Sequence, residues 1–349
     1  MAVALVDAAA ADLPDLREFW ARVYRPDYVF LRSEALFHWQ FGDAAAVKFH
    51  LKLARLDGAL SAGLGYMPVE VTLGGRVVRG AWVVNWMVEP KYRRLGLGPL
   101  LMREVMRQFD VTLNIGPNQD AINATTRMGW ADFGELTRHV CVLDATMAQA
   151  LTPSGQLDWP KGSARSPASK LDVRAVKQFS SDATALWDES QATAKAGVRR
   201  SAAYLNWRYA RHPLFEYRLL EARRDGRLQG LAVCRVERVL DVPVRVGRIT
   251  ELLAAPDAMD GLVDAVLNEA RAQQVAVVDF FTSRPCEALR SHGFIEGEDS
   301  RAAQIPMLFQ PVDRRRTGIR FLAFGPDGAT VRAAQWFVTK GDGDQDRPN

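Results

Sequence analysis

The chain has 349 residues, a length that suits about two ordinary domains, and it is 48% apolar and 25% charged. That is the composition of a globular protein with real cores. Its formal charge of +4 is small beside 45 basic and 41 acidic groups, so it lacks the basic stripe of a nucleic-acid protein.

The N-terminal stretch MAVALVDAAAADLPDL has no basic region and is interrupted by Asp7 and Asp12. It reads as neither signal peptide nor membrane span, and no later apolar run reaches membrane length, so a cytoplasmic protein is expected. Leu13, Leu16, Phe19 and Trp20 recur at helical spacing and predict a helix over 13–24. A short helix is expected at 32–41. Alternating strands follow at 48–56, 59–71 and 76–88, turned by Asp57-Gly58 and Gly74-Gly75. A loop over 89–98 leads into a helix from Pro99 to Phe109, where proline suits the first turn. Next come a strand at 111–115, a helix at 118–128 and a strand over Arg138–Leu143. The fold class is a mixed α/β sheet.

The chain then repeats itself. RSEALFHWQFG (32–42) overlays RSAAYLNWRYA (200–210), and FHLKLARLDG (49–58) overlays YRLLEARRDG (217–226) at the same offset. Trp39 falls on Trp207, Arg55 on Arg223 and Asp57-Gly58 on Asp225-Gly226. Two copies of one domain are expected: 1–150, then 171–312, joined by a Pro/Gly/Ser-rich linker at 151–170. Residues 313–349 remain as a C-terminal extension. Its last stretch, with Asp342, Asp344 and Asp346, reads as a solvated tail, or as an acidic cover for a cationic acceptor. The spacing of a calcium loop is not met. Cys141, Cys234 and Cys286 form no CxxC pair and no metal-spaced set, so inert thiols and no metal are expected.

The loop VEPKYRRLGLGP carries the most chemistry. Gly96 and Gly98 allow backbone that a Cβ would oppose, and the amides at the following helix start favour phosphate. Lys91, Arg93 and Arg94 add positive charge. A Walker loop would need Gly-Lys-Ser/Thr, but Pro99 follows Gly98; a dinucleotide fingerprint would need a small residue where Leu101 stands. In the second copy Asp257 and Asp260 replace the cradle, so no anion site is expected there.

Arg93-x-x-Gly96-x-Gly98 after the strand NWMVEP resembles the pyrophosphate loop of the GNAT superfamily of CoA-dependent N-acyltransferases. Asn118-x-x-Ala121, Thr125 and Gly129-Trp130 are similar to that family's second signature. The resemblance implies two tandem GNAT-like domains, the second without its CoA loop. It also implies acetyl-CoA as co-substrate, held by Arg93, Arg94, Leu95, Gly96, Leu97 and Gly98, with Met87, Val88 and Asn118 along its pantetheine arm. Thr125 stands where the family places a tyrosine acid. Glu89 is the carboxylate nearest the loop, a base or a strand-end charge, and Asn85 would orient the amine or simply satisfy its strand. His38, His139 and the paired Trp39 and Trp207 read as packing residues. Tyr24, Tyr28, Phe30 and Phe37 line an acceptor pocket or fill the core. The second domain walls the acceptor site or only scaffolds it.

The expected function is an N-acetyltransferase acting on a small amine. Tandem chains of this look are similar to acetyltransferases of surface-polysaccharide pathways, which suggests a nucleotide-linked amino sugar. The alternatives are an aminoacyl- or peptidyl-transfer relative, a thiol-cofactor synthase relative, and a non-catalytic acyl-CoA-binding protein.

Overall fold

Alternating apolar residues and two tight turns set the first half of the fold. In the computed structural model, which describes residues 2–42, 48–152, 171–190, 196–240, 242–309, 312–313, 315 and 318–346 with Gly155, Leu157 and Trp159, strand β1 (Val3–Asp7) precedes helices α1 (Leu13–Val23), α2 (Val29–Arg32) and α3 (Glu34–Phe41). Hairpin strands β2 (Leu51–Leu56), β3 (Ala59–Leu73) and β4 (Arg76–Val88) follow, then α4 (Leu97–Met106), β5 (Val111–Ile115), α5 (Gln119–Arg127), β6 (Ala131–Glu135), β7 (Thr137–Val142) and α6 (Ala145–Ala148). Asp57, Gly58, Gly74 and Gly75 all take positive φ at the two turns, as tight hairpins require.

The second half runs β8 (Asp172–Val176), α7 (Asp182–Ser190), β9 (Gly197–Val198), α8 (Ala202–Leu205), β10 (Arg218–Arg224), β11 (Arg227–Arg238), β12 (Arg245–Ala254), α9 (Pro256–Ala272) and β13 (Val277–Thr282). It closes with α10 (Glu287–Ser291), β14 (Ile295–Glu296), the small pair β15 (Leu308–Phe309) and β16 (Val312–Asp313), then β17 (Arg320–Phe324) and α11 (Gly328–Ala333). Thus β2-β3-β4-α4-β5 recurs as β10-β11-β12-α9-β13. The expected linker lies almost wholly outside the described residues.

Two large mixed α/β sheets result, ordered β1-β2-β3-β4-β5-β17-β6 and β14-β7-β13-β12-β11-β10-β8, with β9 on the edge of β3. Two expectations are corrected here. The strand expected to finish the first domain, now β7, pairs antiparallel with β13 of the second sheet, Val278 opposite Cys141. Conversely β17, expected in a C-terminal extension, lies between β5 and β6, with Phe321 opposite Ile115. Period-2 alternation marks a strand but does not name its neighbour.

The first core gathers Leu16, Phe19 and Trp20 from α1 with Tyr28, Phe30, Phe37 and Phe41 under one face of the first sheet. The other face packs Ala81 and Val83 on Leu97, Leu101 and Met102 of α4. The halves meet at the repeated tryptophans: the Trp39 and Trp207 rings stack 4.7 Å apart at 14°. Each indole N–H donates to the other's backbone carbonyl, at 2.9 and 3.3 Å. They are packing residues, as expected, and they pack on one another.

Candidate active site

β4 is paired along its full length on one edge and along only part of it on the other. On the β3 side its register runs from Arg76 to Val88 opposite Ala62, with a bulge between Gly63 and Gly65. Asn85 sits at that bulge with φ 50, a left-handed conformation that asparagine tolerates better than most residues. On the β5 side pairing covers Gly80, Ala81 and Trp82 and then stops. From Val83 to Val88 the two parallel strands diverge, so a slot opens toward their C-terminal ends, with Met87 and Val88 on its free edge. Backbone groups there need an outside partner or water.

At the slot's mouth the chain makes a 3-10 turn over Pro90–Leu95, and Gly96 (φ 74) caps α4. An added Cβ on Gly96 would meet nothing within 4 Å, whereas one on Gly98 would lie 3.0 Å from Trp86 Nε1. Gly96 is therefore glycine for its backbone, and Gly98 because the helix start is laid on an indole. Arg93, Arg94 and Leu95 are exposed and Leu97 is buried, anchoring the turn. The unpaired amides of the first helical turn and the two guanidinium groups share this end. Asn118, just beyond β5, is exposed, and its Oδ1 accepts from Ala121 N at 2.9 Å as the cap of α5.

Side chains of β4 alternate about the slot. Trp82, Val84 and Met87 face the core that carries α1 to α3, while Trp86 and Val88 face α4. On the first face Tyr28 donates its hydroxyl to Asn85 Oδ1 at 2.8 Å. Glu89 pairs with Arg22 of α1 at 3.7 Å and with Lys91 at 3.1 Å, and its side chain is only 15% exposed. Thr125 is fully buried, and its hydroxyl donates within its own helix, to the carbonyls of Ala121 and Ile122 at 2.8 and 3.1 Å. That geometry commits its hydroxyl proton to its own backbone. His38 contacts Gly42 O and Glu34; burial lowers the pKa of His139, which lies inside β7. Tyr28, Phe30 and Phe37 are core, while Tyr24 is 48% exposed.

A cavity of about 780 Å³ lies between the sheets, with Arg25, Asp27, Arg235, Glu237, Lys340 and Asp344 in its wall. Of these the sequence singled out Asp344 alone, within the acidic stretch near the C-terminus; the others converge from distant segments that carry no local signal. The cavity thus has walls from both halves of the chain.

The segment beyond α11 corrects the expected solvated tail: Asp342, Asp344 and Asp346 are 0%, 8% and 1% exposed. Arg200, fully buried, holds Asp342 at 2.6 Å and reaches Glu251 at 3.2 Å. Arg235 takes both oxygens of Asp346, which also accepts from Tyr217 at 2.7 Å. Burial alone would raise the Asp346 carboxyl, but Arg235 holds it far below the usual carboxylate range. Thr339 Oγ1 donates to Thr250 O at 2.7 Å and Lys340 N to Phe281 O at 3.2 Å. β12 and β13 also part, after Ile249 and Phe280, and this segment threads the gap between them. Since β12 ends at Ala254 and α9 starts at Pro256, no phosphate turn stands there either. Asp257 pairs with Arg224, and Asp260 accepts from Ser291 at 3.2 Å. The second gap is thus filled by the chain itself.

Among the described residues no group of three or more His, Cys, Asp or Glu side chains is placed to hold a metal, and no helix is long and apolar enough to cross a membrane. Residues 8–113 match the family model described as an acetyltransferase (GNAT) domain. No curated protein matches the sequence. The fold is similar to a GCN5-related N-acetyltransferase from Anabaena variabilis (TM-score 0.63, 13% identity, covering 96% of this chain and 75% of that one). It is also similar to a probable N-acyltransferase from Enterococcus faecalis (TM-score 0.61, 11% identity, 93% and 72%). Saccharomyces cerevisiae N-myristoyltransferase, solved with myristoyl-CoA, aligns at a TM-score of 0.55 and 14% identity over 93% and 80%. The N-terminal part of the chain thus matches a GNAT acetyltransferase domain model, within a fold similar along nearly its whole length to that of a solved GCN5-related N-acetyltransferase.

Proposed function

We propose that the protein is an acetyl-CoA-dependent N-acyltransferase for a small amine acceptor. The observation that carries this reading is the early end of the β4–β5 pairing, after Trp82, beside the Gly96–Gly98 turn. It supplies free main-chain groups for an amide-bearing arm and, at its mouth, amides and guanidinium groups for a diphosphate. Arg93, Arg94 and the amides of 95–98 hold the diphosphate, and Met87, Val88 and Asn118 take the pantetheine. The acyl group then reaches the bulge at Asn85.

Amide formation requires that the acceptor ammonium lose a proton, that the carbonyl be polarised, and that the thiolate be protonated. Tyr28 fixes the Asn85 carboxamide on the acceptor face, where it orients the amine. Glu89 lies on the same face as α1 and acts as base through water. Thiolate is a good enough leaving group to take its proton from solvent. The mixed-charge cavity suits a polar acceptor, and a nucleotide-linked amino sugar remains the finer reading to test.

Isothermal titration with acetyl-CoA is the direct test. The wild-type chain should bind it, and Arg93→Glu with Arg94→Glu should weaken binding by at least about 3 kcal/mol, since two charge-assisted contacts are lost and each is worth roughly 1.5–3. Undiminished affinity in the double variant would remove the assignment of the turn. Thiol release with a panel of amine acceptors then separates an enzyme from a binding protein. With an accepted amine, Glu89→Gln should cut kcat by about a hundredfold while leaving acetyl-CoA affinity intact; an unchanged kcat would exclude Glu89 as base.

A further inference from the structure

The geometry points to Gly343 and Gln345 as the wall that limits how long an acyl group the slot accepts; this rests on the acyl-CoA reading above. Pairing between β4 and β5 ends at Trp82 opposite Leu113. Carrying the parallel register forward sets Ile115 level with Val84, one residue before the bulge at Asn85. At that level the C-terminal segment crosses the slot. Gly343 takes φ 59, and a Cβ there would lie 2.6 Å from Ile115 Cγ2 and 3.6 Å from the Trp82 ring. Gln345 donates through Nε2 to Ile115 O at 2.9 Å, and its carboxamide lies so near Gly116 that a Cβ on that glycine would fall 2.4 Å away. The space beyond the bulge on the acceptor face is thus taken by protein.

A wall discriminates by length only if it cannot give way. This one is anchored on both sides of the crossing: Asp342 by Arg200, Asp346 by Arg235, and the carbonyls of Gly341 and Asp346 by Arg208 at 2.9 and 3.2 Å. All three arginines are buried. Displacing the segment would strand those charges in the interior, so a longer chain meets a fixed barrier. Acetyl and propionyl groups fit before it, and hexanoyl does not.

The test is calorimetric binding of CoA, acetyl-CoA, propionyl-CoA and hexanoyl-CoA to the full chain, and to Gln345→Gly, which removes the carboxamide without changing charge. Wild type should bind hexanoyl-CoA at least about tenfold more weakly than acetyl-CoA, and the variant should narrow that ratio to about threefold or less. Equal affinity of wild type for acetyl- and hexanoyl-CoA would overturn the wall while leaving the CoA slot standing. A ratio unmoved in a folded Gln345→Gly would do the same. Failure of CoA itself to bind would overturn both readings together. The wild-type series decides the matter even if the variant does not fold.

Discussion

Lys340 stands in the cavity wall with its ammonium 5.0 Å from the Phe281 ring centroid. Burial and the neighbouring Arg248 bring its pKa from 10.5 to about 7. Between those pH values the unfolded chain binds more protons at this site than the folded one, so stability should rise with pH across that window. Lys340→Met removes the penalty and should stabilise the protein by up to about 5 kcal/mol at pH 6, with the gain shrinking as pH climbs toward 10.5. Urea unfolding at several pH values measures it; a pH-independent difference would show that the ammonium is not desolvated at that cost. His212 adds an acid window of the same sign. Held to about 3 by burial and by Arg208, it is neutral in both states above pH 6.5 and costs stability as the pH falls from there toward 3.

At the level of elements, the segment from Thr339 to Asp346 has no regular structure of its own and is fixed by side chains of other elements. Asp346→Ala would leave Arg235 buried without its main partner, so a loss of about 3–5 kcal/mol in denaturant unfolding is expected; a loss under about 1 kcal/mol would mean that water replaces the carboxylate. The same segment shows why part of the site was hidden in the sequence. The helices, the hairpins and the Gly96–Gly98 turn rest on contacts between near neighbours, and periodicity and glycine spacing expose them. Three aspartates near glycines look solvated because acids are seldom buried unpaired. The partners of Asp342 and Asp346, Arg200 and Arg235, stand 142 and 111 positions earlier, where nothing local marks them as such. Thr125 shows the converse: its place in the signature is legible, but only the helix reveals that its hydroxyl is spent on its own backbone.

For the whole molecule, the exchange of β7 and β17 couples the two halves. Residues 1–150 alone would lack β17 and expose the edge of β5, while losing the stacked partner of Trp39. That fragment should be insoluble or molten by near-ultraviolet circular dichroism, and co-expression with residues 171–349 should recover a folded complex; an independently folded, cooperative N-terminal fragment would contradict this. The strand partner of β5 was not legible because a pattern of two says which face a residue takes and nothing about which strand lies beside it.

That exchange also sets a timetable. During synthesis the N-terminal sheet waits, with a bare central edge, until residue 324 has left the ribosome, and the edge of β13 must be covered by a strand made long before it. A nascent chain of this design stays open to mispairing for most of its production, so its yield in a cell should depend on chaperones that shield sheet edges more than on the stability of the finished protein.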